Sequence, residues 1–352
     1  MKKILRIVLS LLMAVAFLFG LFLAWISFAR YKPDPMEEII ANNRNSRVIM
    51  QGDSLQFVSW NLGYAGLGSE MDFFYDGGKK VRAEKALADQ YLKGILSFIQ
   101  EQQNHDFWLL QEVDFDAKRS YRINQSEFLA EVLPDYSYST VINYKVAFVP
   151  VPIRRPMGHV RSGMMLLSAY AEHLGYRHAY PSISTWPQSL FLLKRCFTES
   201  RFPLPGGKEL VVFNTHNSAF VDNQALMNQE LELIRTRMTE VYAAGNYVIA
   251  GGDWNMNPPG FSPAAGYGGH RFVPSAVSIP EDFFPADWQF AFDETRPTNR
   301  HLHQPYIKGQ TGTTTIDFFL VSPNVRVVEK KVFDLDFTDS DHNPVMITIL
   351  LD

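Results

Sequence analysis

The stretch VIAGGDWN, residues 248–255, is the part of this sequence that most strongly indicates its fold. An apolar run ends in two glycines, and Asp253 and Asn255 follow directly. Such a run favours a buried strand, and the loops after strands are where a scaffold holds catalytic side chains. A single example usually forms only a turn, so the pattern indicates a site only if it recurs.

The same pattern recurs at three other apolar runs. Asn61 follows FVSW, Glu112 follows FWLLQ, and His216 follows VVFNT. A turn explains any one of these residues on its own. Four strand ends that all carry amide, carboxylate or imidazole groups predict a shared site at one edge of a sheet.

Two more acidic groups lie near the C-terminus. Asp317 is inside the strand-like TTTIDFFLVS, where a carboxylate is costly to bury without a partner. Asp341 and His342 then precede the last apolar run. A buried carboxylate that contacts a histidine commonly orients the imidazole and favours its charged form, so we expect Asp317 to find its partner there.

Three of these side chains suit a hard divalent cation. Glu112 and Asp341 offer carboxylates and Asn61 an amide carbonyl, which are the oxygen ligands that Mg2+ prefers. We therefore predict Mg2+ at these residues, with Mn2+ as the alternative. Zinc fits less well, because no histidine pair has helical ligand spacing and the chain has one cysteine.

The remaining polar groups suit the hydrolysis of a phosphoester. An attacking water needs a base or an orienting group, for which Asp253 is the candidate. Asn255, His216 and His342 would stabilise charge on the phosphate oxygens.

Hydrophobic periodicity predicts many strands and few helices. Apolar residues recur at helical spacing from Leu87 to Ile99 and again from Leu226 to Val241. Strand-like runs lie at residues 55–60, 107–110, 164–167, 190–193, 210–213, 247–250, 316–321 and 345–351. This pattern predicts an α/β fold in which two sheets pack face to face with helices outside.

The charge balance and the single cysteine exclude several classes of protein. Beyond its first 30 residues the chain carries 29 basic and 37 acidic side chains, which argues mildly against a general nucleic-acid binder. A nuclease is not excluded. Cys196 alone cannot form an intrachain disulfide or a zinc site of several thiolates.

The N-terminal residues 1–30 are predicted to be a transmembrane anchor or a signal segment. Residues 7–29 are uncharged and would extend roughly 34 Å as a helix, enough to cross a bilayer. The run exceeds the usual length of a cleaved signal, so we favour an anchor, although Ser27-Phe28-Ala29 keeps a cleavage site available. We expect the catalytic domain outside the cytoplasm, although basic residues flank the run on both sides.

The rest of the chain divides into two parts. Residues 31–52 are polar, contain two prolines and are predicted to form a stalk. Residues 53–352 would form the catalytic domain. Within it, residues 258–310 are rich in Pro, Gly, His and aromatics, and we expect a long loop or lid beside the site.

Three features outside the main motifs have a functional and a structural interpretation. Residues 71–80 could present backbone amides and Lys79 to a phosphate, but a solvated turn is favoured. Arg119 and its basic neighbours could reach an anion, although such residues more often face solvent. We expect Trp254 to pack in the core.

Taken together, six short motifs resemble the endonuclease/exonuclease/phosphatase superfamily. The order and spacing of the motifs match over roughly residues 55–351. The motifs are WN at Trp60-Asn61, QE at Gln111-Glu112, NTH at Asn214 to His216, GDWN at Gly252 to Asn255, ID at Ile316-Asp317 and SDH at Ser340 to His342. The resemblance implies a four-layered α/β sandwich with a Mg-dependent site.

The resemblance also implies a role for each matching residue. Glu112 would be the principal metal ligand, with Asn61 beside it and Asp341 assisting. Asp253 would orient or deprotonate the nucleophilic water.

The other matching residues would act on the phosphate. Asn255 would contact the scissile phosphate, and His216 would contact the phosphate or the leaving group. His342, oriented by Asp317, would bind or protonate a phosphate oxygen.

Three functions fit this sequence. The first is a membrane-tethered phosphodiesterase that acts on a lipid head group. The second is an exported nuclease similar to DNase I, and the third is a relative that only binds a phosphorylated ligand. No obligate protein partner is indicated. Substrate choice depends on the loops around the site, so the motifs do not separate the first two.

Overall fold

The computed structural model describes residues 1–182, 184–219, 224–262 and 277–352. Within these residues the α-helices are α1 Lys2–Phe28, α2 Lys85–Glu101, α3 Gln125–Val132 and α4 Gln224–Ala243. The strands are β1 Met36–Ile39, β2 Ser54–Asn61, β3 Phe107–Asp114, β4 Ser137–Val149, β5 Gly158–Ser168, β6 Leu174–Ala179, β7 Cys196–Pro203, β8 Glu209–His216, β9 Tyr247–Asp253, β10 Gln289–Ala291, β11 Asn299–Arg300, β12 Thr313–Thr314, β13 Asp317–Val321, β14 Val325–Val332 and β15 Val345–Leu351.

Two mixed sheets form the centre of the molecule. One has the strand order β1-β6-β7-β8-β9-β13-β10 and the other β14-β15-β2-β3-β5-β4. The pairs β8–β9 and β2–β3 are parallel, and the other pairs within these two sheets are antiparallel. Fully buried Phe57, Leu109 and Phe319 pack between the sheets.

The helices cover the outer faces of the two sheets. Tyr91 and Ile95 of α2 pack against Trp108 of the second sheet. Ile234 and Met238 of α4 belong to a second apolar cluster with strands of the first sheet. The predicted four-layered α/β sandwich is therefore confirmed, because each sheet buries one face against the other sheet and one against helices.

One predicted strand is wrong. Residues 190–193 were expected to be extended, but Gln188–Leu190 forms a 3-10 turn and the residues after it are irregular. Pro187 cannot donate to a strand ladder. The apolar side chains of Phe191 and Leu193 instead pack beside Tyr144 and Met157.

The predicted stalk is partly a component of the sheet. β1 pairs with β6 at the sheet edge, with Met36 opposite His178. Further along, Asn43 exchanges hydrogen bonds of 2.8 and 2.9 Å with the backbone of Glu172. Ile49 is fully buried in the central core. Residues 31–52 look polar because an edge strand and its connection expose most of their side chains.

The predicted long loop at residues 258–310 is more structured than expected. Its residues 263–276 lie outside the described part of the chain. Among the described residues, β10 joins the edge of the first sheet beside β13. β11 pairs with β12 and brings Asn299 and Arg300 to the site described below.

The N-terminal helix α1 is, among the described residues, the one helix long and apolar enough to cross a membrane. Most of its side chains are exposed, whereas Ile26 near its C-terminal end is buried. The Phe22 ring lies 6.2 Å from the ring of Phe148 and 6.3 Å from that of Phe191. The end of α1 therefore packs against the globular domain.

Candidate functional site

The polar strand ends converge as the sequence predicts. In the parallel pair β8–β9, His216 lies opposite Asp253, and Asp317 of β13 lies on the other side of Asp253. A cavity of about 340 Å³ opens above them. Seven of the eight predicted residues line it, namely Asn61, Glu112, His216, Asp253, Asn255, Asp341 and His342. Asp317 lies behind His342.

Two amides hold the Asp253 carboxylate. Asn61 Nδ2 donates to Asp253 Oδ2 at 2.9 Å, and the backbone N–H of Asn255 donates to Oδ1 at 2.9 Å. Burial raises the pKa of Asp253 to about 6; the imidazole of His342 opposes this rise and the charge of Asp317 adds to it. Asp253 is therefore a carboxylate fixed in direction and able to accept a proton near neutral pH.

A β-bulge directs Glu112 into the cavity. The register of β3 and β5 shifts between Leu110 and Val113, and Glu112 has a φ of 52°. Such a backbone conformation is uncommon for a side chain with a Cβ and often marks a functional position. Glu112 Oε1 lies 3.8 Å from His216 Nε2.

Asp317 and His342 form a buried pair. His342 Nδ1 lies 2.8 Å from Asp317 Oδ2, and the side-chain amide of Asn299 lies 3.0 Å from Nε2. Burial opposes a charge on His342, but the carboxylates of Asp317 and Asp341 outweigh it and raise the pKa of His342 to about 10. His342 is therefore an imidazolium at neutral pH.

The surroundings of His216 lower its pKa, whereas those of His342 raise it. His216 Nε2 lies 3.5 Å from Asp253 Oδ2, and its buried Nδ1 has no hydrogen-bond partner among the described residues. Burial and the positive charges of Arg195 and His342 hold the pKa of His216 well below its usual range. The site thus contains one charged and one neutral imidazole.

Glu112, Asp341 and Asn61 could hold a divalent cation. Among the described residues, no hydrogen bond to the Glu112 carboxylate is seen, and the Asp341 carboxylate has only long contacts, with the Ser340 hydroxyl at 3.5 Å and His342 Nε2 at 3.9 Å. Burial raises the pKa of Asp341 to about 6; His342 opposes this rise, and the charge of Glu112 adds to it. Two under-coordinated carboxylates that repel each other fit a cation between them.

Glycine is required beside this pair of carboxylates. A Cβ at Gly63 would lie 2.6 Å from Asp341 Oδ1, and Gly63 has a φ of 48°. The missing side chain leaves room for the carboxylate.

A second cluster has ligand atoms close enough for a metal. Ligand atoms of Asp253, Asp317 and His342 lie within 4.8 Å of one another. Asp317 Oδ2 already pairs with His342 Nδ1 at 2.8 Å, and two amides hold Asp253, although Asp317 Oδ1 has no hydrogen-bond partner among the described residues. The less satisfied set of Glu112 and Asp341 is therefore the better candidate.

Several residues at the cavity were not singled out from the sequence. Arg195 lines the cavity, and its buried Nη1 atom has no hydrogen-bond partner in the described part of the chain. Asn299 contacts His342. Arg300 Nη2 donates to the backbone carbonyls of Leu67 and Gly68 at 2.9 and 2.7 Å. No apolar run marks Arg195 or Asn299, because Arg195 directly precedes β7 and Asn299 lies in the two-residue strand β11.

The structure also decides the three features outside the main motifs. The amides of Lys79 and Lys80 both donate to Asp72 Oδ1 at 2.6 Å, so the segment forms a turn and these amides are not free for phosphate. The prediction that Arg119 faces solvent is wrong, because Arg119 is buried and forms an ion pair with Asp114 at 2.9 Å. Trp254 is fully buried and packs in the core as expected.

Solved structures with the same fold come from several organisms. An endonuclease/exonuclease/phosphatase from Bacteroides vulgatus is 16% identical with a TM-score of 0.54, and covers 85% of this chain and 100% of its own. One from Beutenbergia cavernae is 17% identical with a TM-score of 0.53, at 85% and 72% coverage. A humanized D. rerio TDP2 is 12% identical with a TM-score of 0.53, at 84% and 98% coverage. No curated protein matches the sequence.

The family model of the endonuclease/exonuclease/phosphatase family matches residues 58–342. This range contains all eight of the predicted site residues and most strands of both central sheets, and it leaves out β1, the start of β2 and β15. The chain therefore belongs to the endonuclease/exonuclease/phosphatase family.

Proposed function

We propose that this protein is a metal-dependent hydrolase that cleaves phosphodiester bonds while tethered to a membrane. Membership of the family supports phosphoester hydrolysis in general. The observation that carries the proposal is the juxtaposition of a fixed carboxylate, Asp253, with the imidazolium of His342 and the under-coordinated pair of Glu112 and Asp341.

Mg2+ or Mn2+ would be held by Glu112, Asp341 and Asn61. A divalent cation neutralises charge on the phosphate and lowers the cost of attack at phosphorus. The oxygen-only donor set and its small number of carboxylates fit Mg2+.

Different side chains of the protein would accept and donate protons during the reaction. Asp253 accepts a proton from the attacking water as the new O–P bond forms, which requires its ionised form. His342 donates toward a phosphate oxygen while the ester P–O bond breaks, and Asp317 keeps it charged and oriented. Neutral His216 and Asn255 contact the phosphate or the leaving group. The leaving oxygen takes up a proton from solvent water and ends as an alcohol.

Activity on a simple diester tests this proposal. The full chain in detergent micelles should hydrolyse bis-p-nitrophenyl phosphate with Mg2+ and lose activity with EDTA. Asp253→Asn should lower kcat by about 10²–10⁴-fold, the usual contribution of a general base. Asp135→Asn, on the exposed surface, is the matched control. Full activity in the Asp253 variant, or activity unchanged by EDTA, would reject the mechanism.

Substitution of Arg195 tests where the phosphate binds. Arg195 Nη1, which has no hydrogen-bond partner among the described residues, is positioned to donate to a phosphate oxygen. Arg195→Ala should raise KM by about 10- to 150-fold, because a hydrogen bond to a charged group is worth about 1.5–3 kcal/mol. Arg195→Lys should recover part of this loss. An unchanged KM in both variants would place the phosphate elsewhere.

The substrate is proposed to be a lipid head group, with a nucleic acid as the alternative. The apolar helix α1 and the acidic soluble domain favour the lipid. Turnover of sphingomyelin, plasmid DNA and simple phosphomonoesters, each with and without EDTA, separates these substrates. A protein that binds these compounds without turnover would be the non-catalytic relative.

A further inference from the structure

The cavity has an apolar wall that the hydrolysis of a phosphoester does not require. The apolar residues that line it include Phe73, Tyr144, Met157, Phe191 and Leu193. These side chains belong to one apolar cluster built on strands β4 and β5. A phosphate and a divalent cation need polar contacts, so this wall fits an apolar part of the substrate.

The same wall contacts the N-terminal helix. Phe191, which lines the cavity, stacks on Phe22 of α1 at 6.3 Å with an interplanar angle of 14°. Phe148 of β4 meets Phe22 edge-on at 6.2 Å. Trp186 Nε1 donates to the Ser27 hydroxyl at 3.2 Å. The cavity and the end of α1 are therefore joined by one aromatic cluster.

The position of Phe22 in α1 fixes the depth of this cluster. Phe22 lies six residues before the end of the helix at Phe28, which is about 9 Å along its axis. If residues 7–29 of α1 cross a bilayer, Phe22 lies on the order of 6–10 Å inside the nearer boundary of the hydrocarbon core, at the depth of the upper acyl chains. The side chains that pack on Phe22 then lie at the same depth.

The adjacent surface has the composition of a membrane-contacting loop. We define the rim as Val151, Ile153, Trp186 and Leu192, four exposed apolar residues. Ile153 is 90% exposed at the tip of the β4–β5 hairpin, Arg154 follows it, and Arg155 pairs with Glu84 at 3.0 Å. Exposed apolar groups beside a site are typical of interaction surfaces, and an arginine next to them suits anionic head groups.

We propose that the cavity opens at the bilayer surface and takes a membrane phospholipid directly from it. This inference rests on the proposed phosphodiesterase function. The acyl-bearing part of the lipid lies along the wall of Phe73, Tyr144, Met157, Phe191 and Leu193. The phosphodiester reaches Glu112 and Asp253, and the rim sits in the head-group region.

A fluorescence experiment tests the position of the rim. Ile153→Cys in the full chain is labelled with bimane and placed in lipid nanodiscs that contain phospholipid with a nitroxide near the head of the acyl chain. Cys196 is fully buried, and burial raises its pKa to about 11, so it stays unlabelled. Quenching is expected at position 153 but not in Glu101→Cys, which lies on exposed α2. Equal, weak quenching at both positions would overturn the inference.

A kinetic experiment tests the substrate. Nanodiscs of phosphatidylcholine, phosphatidylethanolamine and phosphatidylglycerol are incubated with the full chain, and released head-group products are identified by mass spectrometry. Val151→Glu with Ile153→Glu should lower lipid hydrolysis by about tenfold, equivalent to about 1.4 kcal/mol of lost binding. Hydrolysis of bis-p-nitrophenyl phosphate should not change. Val328→Glu, on the distant edge strand β14, is the control.

The outcomes separate this inference from the proposed function. No hydrolysis of bis-p-nitrophenyl phosphate by the unmodified chain would reject the function itself. Hydrolysis of that diester together with plasmid DNA, and none of the three lipids, would retain the function and overturn the lipid substrate. Equal lipid hydrolysis by the double glutamate variant and the unmodified chain would also overturn it.

Discussion

The hydrogen bond between Asp317 and His342 controls the charge of the imidazole, so its removal should change the pH profile as well as the rate. Asp317 is one of two carboxylates that raise the pKa of His342 to about 10 against the effect of burial. A histidine with a raised pKa keeps its charge below that pKa and loses it as pH rises. In Asp317→Asn we expect kcat to fall by about 10²-fold or more, with the alkaline limb moved to lower pH.

The pH profile distinguishes positioning from simple loss of structure. A merely structural role for Asp317 would lower the rate equally at every pH. Asp135→Asn, an exposed carboxylate-to-amide change, should leave both rate and profile unchanged. Measurement of kcat for bis-p-nitrophenyl phosphate from pH 6 to 10 decides between these outcomes.

Glu172 does not line the cavity, and it should make the free energy of unfolding depend on pH. It is 4% exposed, and burial raises its pKa to about 7 from 4.5, although hydrogen bonds to Ser200 and Ser139 oppose the rise. Because the folded pKa lies above the unfolded value, its contribution to stability is present below pH 4.5 and is lost as pH rises through about 7. The full loss is on the order of 3 kcal/mol.

Replacement by an uncharged isostere should remove this dependence. Glu172→Gln should therefore be more stable than the unmodified chain at pH 8, and the difference should shrink toward pH 4.5. Urea unfolding at the two pH values measures it, with the exposed Glu101→Gln as control. A constant difference between pH 4.5 and 8 would contradict the assignment.

The sequence predicts the site residues that follow regular strands and does not predict those that reach it from elsewhere. Asn61, Glu112 and Asp253 each stand where an apolar run stops, so the pattern itself marks them. Arg195 and Asn299 come from segments without periodicity. Only the folded chain shows that Arg195 lines the cavity and that Asn299 contacts His342.

At the scale of elements, strands with a strong apolar run are predictable and edge strands are not. The core strands β2, β3, β8, β9 and β15 contain runs of buried apolar residues, and the sequence predicts all of them. β1 has the sequence MEEI and buries only Ile39. A short, charged edge strand has no periodic signal, which is why its segment is predicted to be a stalk.

The edge strand β1 should stabilise the domain measurably. A chain that begins at Asp53 loses the pairing with β6, the buried Ile39 and Ile49, and the hydrogen bonds of Asn43. Burial of each isoleucine contributes about 1.5–3 kcal/mol, so Tm should fall by about 5–15 °C. A chain that begins at Arg30 keeps all these contacts and is the matched control. Equal Tm values for the two would show that the segment is a stalk after all.

At the scale of the whole molecule, the side of the membrane on which the domain lies depends on the charges that flank α1. Lys2, Lys3 and Arg6 with the terminal amine precede the apolar run, and Arg30 and Lys32 follow it closely. More distant Arg44 and Arg47 are built into the folded domain, where each guanidinium stacks on a tyrosine at 4.8 and 4.9 Å. The remaining excess at the N-terminus favours a cytoplasmic N-terminus and an external domain.

Cysteine accessibility in intact cells tests this orientation. Glu101→Cys, on the exposed face of α2, should react with a membrane-impermeant maleimide before lysis. Ile4→Cys, at the start of α1, should react only after lysis, and this change leaves the flanking charges intact. Buried Cys196 contributes no background. The reverse labelling pattern would place the domain in the cytoplasm and the cavity at the inner leaflet, where the same rim would meet a different set of lipids.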